Sequence, residues 1–203
     1  MDKLKKYKSM RKKGKTPEPF TSTKTDPKKL YFVVQKHKAT ALHYDFRLEV
    51  GGAMPSWAVP RGPTLDSSVK RLAMQTEDHP LDYRHFEGII PEGNYGAGAV
   101  IIWDTGTYIA EKQVDKERVQ VKDKKEAEKV MEAGSEKGEL KFYLNGKKLK
   151  GSFALVKTHG FGGKNAWLLI KHKDQYIKEG WDAKDFDYSE VSGKSLAEVS
   201  DQK

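Results

Sequence analysis

The sequence predicts a mainly β protein, an antiparallel β-barrel or sandwich, of which the barrel is carried forward. One or two short helices and a flexible basic N-terminal arm complete the expectation. Three observations lead there. Short runs rich in β-branched and aromatic residues recur, separated by Gly, Pro and Asn turns. Only residues 123–137 have the length and spacing of a helix. Strands and helices do not alternate as a parallel sheet would require.

Residues 1–15 (MDKLKKYKSMRKKGK) are almost all basic or polar and read as an arm or short helix. Thr16-Pro17-Glu18-Pro19 stiffens the chain beyond it. Leu30-Tyr31-Phe32-Val33-Val34-Gln35 is a continuous apolar run bounded by Pro27, a buried strand leading into His37. In 43–50, His43, Asp45, Arg47 and Glu49 fall on one parity and Tyr44, Phe46, Leu48 and Val50 on the other. Strand side chains alternate between faces, so this is a half-buried strand with same-face neighbours roughly 7 Å apart. Gly51-Gly52 turns the chain into a short strand over Ser56–Val59, and Arg61-Gly62-Pro63 forms the next turn.

Residues 70–78 read as a strand delivering Glu77 and Asp78 to a loop, and the His79-Pro80 step holds His79 extended. The glycine-rich stretch 86–98 lacks the Lys-Ser/Thr of a P-loop and leads into a strand, so it supplies turns and corners. Residues 99–104 and 106–110 are predicted to pair as a hairpin around Asp104-Thr105-Gly106. In the helix, Asp123 caps the start, Ala127, Val130 and Met131 line one side, and Gly134 ends it. Strands over 139–144 and 150–157 flank the Asn145-Gly146 turn, residues 158–165 form a flexible basic loop, and 167–172 is the last strand. The organisation expected is an arm over 1–20, one barrel domain over 21–180 and a polar, loosely attached tail over 181–203.

The chain has 203 residues, 36% hydrophobic and 33% charged, with a net charge of +9. The excess of cations favours a polyanion such as nucleic acid; a merely basic soluble protein is the alternative. There is no cysteine, which excludes disulfides, thiolate ligands and a Cys nucleophile. No apolar run reaches membrane-spanning length, and the lysine-rich start lacks a signal peptide's apolar core. A cytoplasmic location is expected.

The polar face of 43–49 carries the chemistry. His37, His43 and Asp45 offer two imidazoles and a carboxylate, which suit Mn, Fe, Zn or Ni and leave positions open for water or substrate. Arg47 stays protonated and offers a planar fork to a phosphate or carboxylate beside that metal. His79 and Tyr83 could face the same strand: an imidazole to donate to a phosphate oxygen or protonate a leaving group, a phenol to hydrogen-bond a non-bridging oxygen. The plainer alternatives are a polar surface strand, a loop-capping His and a half-buried Tyr.

The segments QKHKATALHYDFRLE, SWAVPRGP, EDHPLDY, EGIIPEGNYGAGAVIIWDTGTY and the closing GSFALVK and WLLIK strands resemble the 3'-phosphoesterase module of ligase D, the bacterial end-joining DNA ligase. The resemblance implies a β-barrel whose polar end holds Mn²⁺, with Zn²⁺ or Co²⁺ as other divalent choices. It implies removal of a 3'-terminal ribonucleoside and then of the 3'-phosphate, leaving a 3'-OH that a ligase can seal. By motif position His37, His43 and Asp45 are the implied metal ligands, Arg47 and His79 hold the phosphate, and Tyr83 assists. Arg71 is an implied further basic contact and Gln35 a supporting polar residue. Arg11 and Glu18 map onto the family's arm, where Lys12 stands in place of Asp; Arg61 stands where Lys is common. The implied partners are duplex DNA or a primer–template bearing a 3'-ribonucleotide or 3'-phosphate, and a separate ligase, polymerase or Ku-like protein, in a nucleoid-associated setting. With no room in 203 residues for a polymerase or ligase module, a stand-alone member is expected.

Two other readings fit parts of the pattern. Two His and one Asp on a barrel also describe non-haem Fe(II) oxygenases, although their HxD pair ordinarily precedes the distant second His. A basic DNA-end-binding barrel without catalysis is the non-enzymatic alternative.

Overall fold

The computed structural model describes residues 2–23 and 26–201. Met1 of the arm, Lys24 and Thr25 at the start of the barrel domain, and Gln202 and Lys203 of the tail lie outside them. Its strands are β1 (Leu30–Lys38), β2 (Leu42–Leu48), β3 (Ser56–Val59), β4 (Lys70–Gln75), β5 (Gly88–Ile90), β6 (Gly98–Val114), β7 (Glu117–Val121), β8 (Glu139–Asn145), β9 (Lys150–Lys157) and β10 (Ala166–Lys171). Among the described residues there are three α-helices, one more than the upper expectation: α1 (Lys5–Met10), α2 (Lys124–Lys137) and α3 (Leu196–Ser200). A 3₁₀ turn spans Leu81–His85.

The strands pair antiparallel in the order β1-β2-β3-β4-β10-β9-β8-β6, and β6 returns to β1 to close the barrel. Every wall strand sends apolar side chains into a single interior: Phe32 and Val34, Tyr44, Phe46 and Leu48, Trp57 and Val59, Ala73, Trp103 and Tyr108 on either side of a register shift in β6, Phe142, Phe153, and Trp167. Phe46 lies between Phe32 and Phe142, with ring centroids 6.2 and 5.6 Å away. Closure leaves these residues in a dry core while the side chains pointing the other way form the outer wall. Tyr44↔Val59, Phe32↔Leu48 and His37↔His43 fix the register of the first three strands.

The hairpin expected around Asp104 does not form. Residues 98–114 are one long strand that pairs with β1 and then with β8. Asp104 uses its turn-forming carboxylate elsewhere: it accepts the backbone N–H groups of Lys147, Lys148 and Leu149 in the β8–β9 loop. Gly106 is required by crowding, because a Cβ there would collide with the Asn145 carbonyl. The helix also runs past Gly134. Asp123 caps its first turn as expected, but it ends on Gly138, whose φ of 82° is the left-handed conformation that closes helices.

Among the described residues, parts of both end segments are packed against the barrel. In the arm, Tyr7 is fully buried, and Arg11 and Glu18 are buried with it. The tail is not merely polar: Trp181 and Ala183 join the barrel interior, and Leu196 and Val199 of α3 pack on Ala99 and Ile101. Trp181 stacks on Phe186 at 5.0 Å and meets Trp103 edge-on at 6.0 Å. Among the described residues, no helix is long and apolar enough to cross a membrane.

A second buried polar cluster joins β6, β9 and the end of β10. Ser152 donates to Glu111, and its Oγ lies 2.8 Å from His172 Nδ1. Burial, reinforced by Arg118, Lys141 and Lys171, pushes the His172 imidazole down from 6.5 to about 4. Between those values the unfolded chain takes up a proton that the folded chain refuses. The contribution is complete above pH 6.5 and is lost as the pH falls towards 4. In urea titrations at pH 7 and pH 5, His172→Asn is expected to show a smaller loss of stability on acidification than wild type. Parallel pH profiles for the two proteins would refute this origin.

Candidate active site

The outer face of β1 and β2 gathers the polar residues singled out above. Strand alternation, which buries Tyr44, Phe46 and Leu48 inside, turns His43, Asp45 and Arg47 outward. From β1, Gln35 and His37 join them across the pairs Gln35↔Asp45 and His37↔His43. The site therefore lies on the barrel's outer wall and not at its polar end. Nor is the face fully exposed: the arm and residues 76–96 partly cover it, leaving an open cleft of about 370 Å³.

His37, His43 and Asp45 form the one group of potential metal ligands found among the described residues, their donor atoms all within 4.8 Å of one another. His37 Nδ1 lies 3.5 Å from Asp45 Oδ2, and His43 Nε2 lies 3.6 Å from Asp45 Oδ1. The other nitrogen of each ring is occupied. His37 Nε2 is 2.9 Å from the Gly96 carbonyl and His43 Nδ1 is 2.9 Å from the Ala41 carbonyl. A carbonyl only accepts, so those nitrogens carry the protons, and the facing nitrogens present lone pairs toward Asp45. Backbone carbonyls commonly fix ligand histidines in this way. Burial alone would raise the Asp45 carboxyl, but the Arg47 guanidinium beside it holds it well below the usual carboxylate range. A permanent anion and two oriented lone pairs fit a divalent transition metal.

Arg47 is gripped at three corners. Its Nε donates to Gln35 Oε1 at 2.8 Å, its Nη2 to Asp45 Oδ2 at 3.0 Å, and its Nη1 lies 2.9 Å from His79 Nδ1. Gln35 in turn donates to the carbonyls of Tyr83 and Phe86, tying the 3₁₀ turn to the wall. The guanidinium has further N–H groups to offer a phosphate oxygen beside Asp45.

His79 is held by backbone pairing with Met54 and by the following proline. It is buried between two guanidinium groups, Arg47 on one side and Arg11 Nη2 on the other at 3.4 Å. Burial first, and then both arginines, hold it well below 6.5, so it is a neutral imidazole at neutral pH. A neutral imidazole keeps one N–H with which to hydrogen-bond a phosphate oxygen. Tyr83 donates to Glu18 Oε1 at 2.9 Å, and burial keeps its phenol well above 10.

The arm supplies Arg11, whose Nε donates to Glu18 at 2.8 Å and whose Nη1 donates to Glu77 at 2.9 Å. These pairs are buried, and the guanidinium sits 4.0 Å from the Tyr7 ring centroid. Two carboxylates thus fix one cation at the cleft wall, which is geometry a flexible arm would not supply.

Four expected residues do not line the cleft: Gln35 and Glu18 are bonded to the lining residues Arg47 and Arg11, while Arg71 and Arg61 lie away from it. Arg71 shares the parity of core-facing Ala73 on β4; it points inward, with Nη2 3.7 Å from Asp182. Arg61 is exposed on the turn after β3 and does not line the cleft. The sequence reading missed Glu77, Tyr7, Tyr95 and the carbonyls of Ala41 and Gly96. Glu77 alone carried a signal, an acid two residues before His79.

A family model described as the DNA Ligase D 3'-phosphoesterase domain matches residues 35–157, which include every cleft residue above outside the arm. The chain is 47% identical over 176 residues, 84% of its length, to the multifunctional non-homologous end joining protein LigD of Pseudomonas aeruginosa. It is 42% identical over 182 residues to the multifunctional non-homologous end joining DNA repair protein LigD of Mycobacterium tuberculosis strain H37Rv. With the LigD of Mycolicibacterium smegmatis the identity is 42% over 178 residues. These matches cover 19%, 21% and 21% of the relatives, so the chain spans about a fifth of their length.

Proposed function

This chain belongs to the DNA ligase D 3'-phosphoesterase domain family, and from that membership we propose that it is a divalent-metal-dependent hydrolase of phosphate esters at DNA 3' ends. Mn²⁺ is the proposed metal, with Zn²⁺ or Co²⁺ as alternatives. The proposed reactions are loss of a 3'-terminal ribonucleoside and then of the remaining 3'-phosphate. The observation that carries the reading is the convergence of His37, His43 and Asp45 on one point, with Arg47 bonded to the same carboxylate.

When bound, such a metal polarises a phosphoryl oxygen and lowers the pKa of a coordinated water. The chain's own residues do the rest. Arg47 neutralises charge on the phosphoryl oxygens, and the contacts to Gln35, His79 and Asp45 fix its plane before substrate arrives. His79, kept neutral, shares that position without adding another cation. Arg11 supplies a second cation to the cleft wall, and Tyr83 holds Glu18 against it. The balance is suited to a phosphate: two guanidinium groups offset Asp45, Glu18 and Glu77, and a bound divalent cation would leave a net positive site.

The relatives are named for non-homologous end joining, and we assign this chain to the same repair setting, near the nucleoid. It would act on duplex or primer–template ends and hand a 3'-OH to a separate ligase, with polymerase and Ku-like proteins as neighbours. The test is a 5'-labelled primer–template ending in one ribonucleotide, followed over time with Mn²⁺. A shortened 3'-phosphate product should form and convert to a 3'-OH product. Salt-sensitive binding without turnover would leave a DNA-end-binding barrel instead.

A further inference from the structure

The loop between β5 and β6 carries a half-exposed aromatic ring that the account above does not use. Tyr95 is 48% exposed. It lines the cleft that holds the three ligands, and it also lines a neighbouring groove of about 420 Å³ formed by Met10, Lys12 and Lys15 of the arm and by residues 91–94. It is the one residue shared by the two linings.

Its position is fixed on both sides. The next residue, Gly96, accepts from His37 Nε2 at 2.9 Å, so the ring is tied through one backbone step to a ligand of the metal site. Turns from Asn94 to Pro91 and from Ala97 to Asn94 hold the loop. Arg11, locked by Glu18 and Glu77, sits with its guanidinium carbon 5.2 Å from the ring centroid. On the groove's other wall, Lys15 N donates to Lys12 O at 3.0 Å, a turn that presents two exposed lysines. Glu92 is the one carboxylate in the lining.

An exposed ring between a phosphate-binding cleft and a cationic groove is the arrangement by which single strands are held: a base stacks on the ring and the backbone follows the cations. We propose that Tyr95 is the stacking platform for the terminal base of the strand being processed. The same strand leaves along the groove with its phosphates on Lys12 and Lys15. This rests on the phosphoesterase reading and adds to it a binding subsite for the nucleoside.

The test uses 5'-labelled oligonucleotides ending in a 3'-phosphate, with the terminal residue either carrying its base or abasic. Phosphate release is measured with Mn²⁺ for wild type, Tyr95→Ala and Tyr95→Trp. For wild type, removal of the base should raise KM about tenfold, within the range of one lost stack, with a much smaller change in kcat. Tyr95→Ala should raise KM about as much on the normal substrate and lose nothing further on the abasic one, while Tyr95→Trp should retain the wild-type preference. In binding measurements, Lys12→Gln with Lys15→Gln should lower the slope of log affinity against log salt by about 2. Equal KM values for the two substrates in wild type, or losses that multiply in Tyr95→Ala, would overturn the stacking site and leave the phosphoesterase reading standing. An unchanged salt slope would overturn the strand path. Absence of phosphate release from both substrates by wild type would overturn the phosphoesterase reading and this inference with it.

Discussion

His43→Ala is expected to lower phosphate release from a 3'-phosphorylated oligonucleotide at least about a thousandfold while leaving the fold in place. Loss of one of three ligands forfeits the charge stabilisation that a correctly held cation provides, several kcal/mol, and each 1.4 kcal/mol is about a factor of ten in rate. The fold should survive because His43 belongs to the outer wall. It is partly exposed near the start of β2, and its ring reaches the Ala41 carbonyl and Asp45 and not the barrel interior. Turnover at saturating Mn²⁺ and the thermal midpoint should be measured on the same preparation. Turnover within tenfold of wild type would sink the ligand assignment.

Arg47→Ala should lower kcat by about 10² to 10³, the usual cost of removing one preorganised donor to a developing oxyanion. At pH 8, Mn²⁺ affinity should change far less, because His37, His43 and Asp45 all remain. Arg47→Lys should be nearly as impaired. An ammonium keeps the charge, but it cannot reproduce the planar fork that meets Gln35, His79 and Asp45 together. Calorimetric Mn²⁺ titration beside steady-state kinetics separates the two effects. Equal losses in affinity and kcat, or full rescue by lysine, would contradict the role assigned to this guanidinium.

What the sequence made legible follows from local rules. Strict alternation over 43–50 placed His43, Asp45, Arg47 and Glu49 on one parity; the first three line the candidate site, while Glu49 pairs with Lys124 and Arg84. Asp123 and the apolar spacing behind it located α2. The failures have a common cause, because each depends on partners distant in the chain. Asp104 and Gly106 have turn chemistry, yet one serves the β8–β9 loop and the other makes room for Asn145. Arg71, an implied basic contact of the site, is instead drawn inward by strand parity and Asp182. Glu77 gains its meaning only when Arg11, 66 residues away, is laid against it. Trp181 and Ala183 sit in a polar stretch whose composition hides that they complete the core. The supporting carbonyls of Ala41 and Gly96 belong to the backbone, which side-chain patterns do not report.

The closed ring of strands also governs how this protein can meet others. A sheet edge invites strand addition by another chain, and here the wall strands have spent theirs on each other. The remaining edges among the described residues belong to β5, three residues long, and to β7, which opens with Glu117 and Arg118. Short or charged edges discourage intermolecular pairing. A partner would therefore dock through side-chain surfaces, and concentrated stocks should resist fibrillar self-association even at low salt.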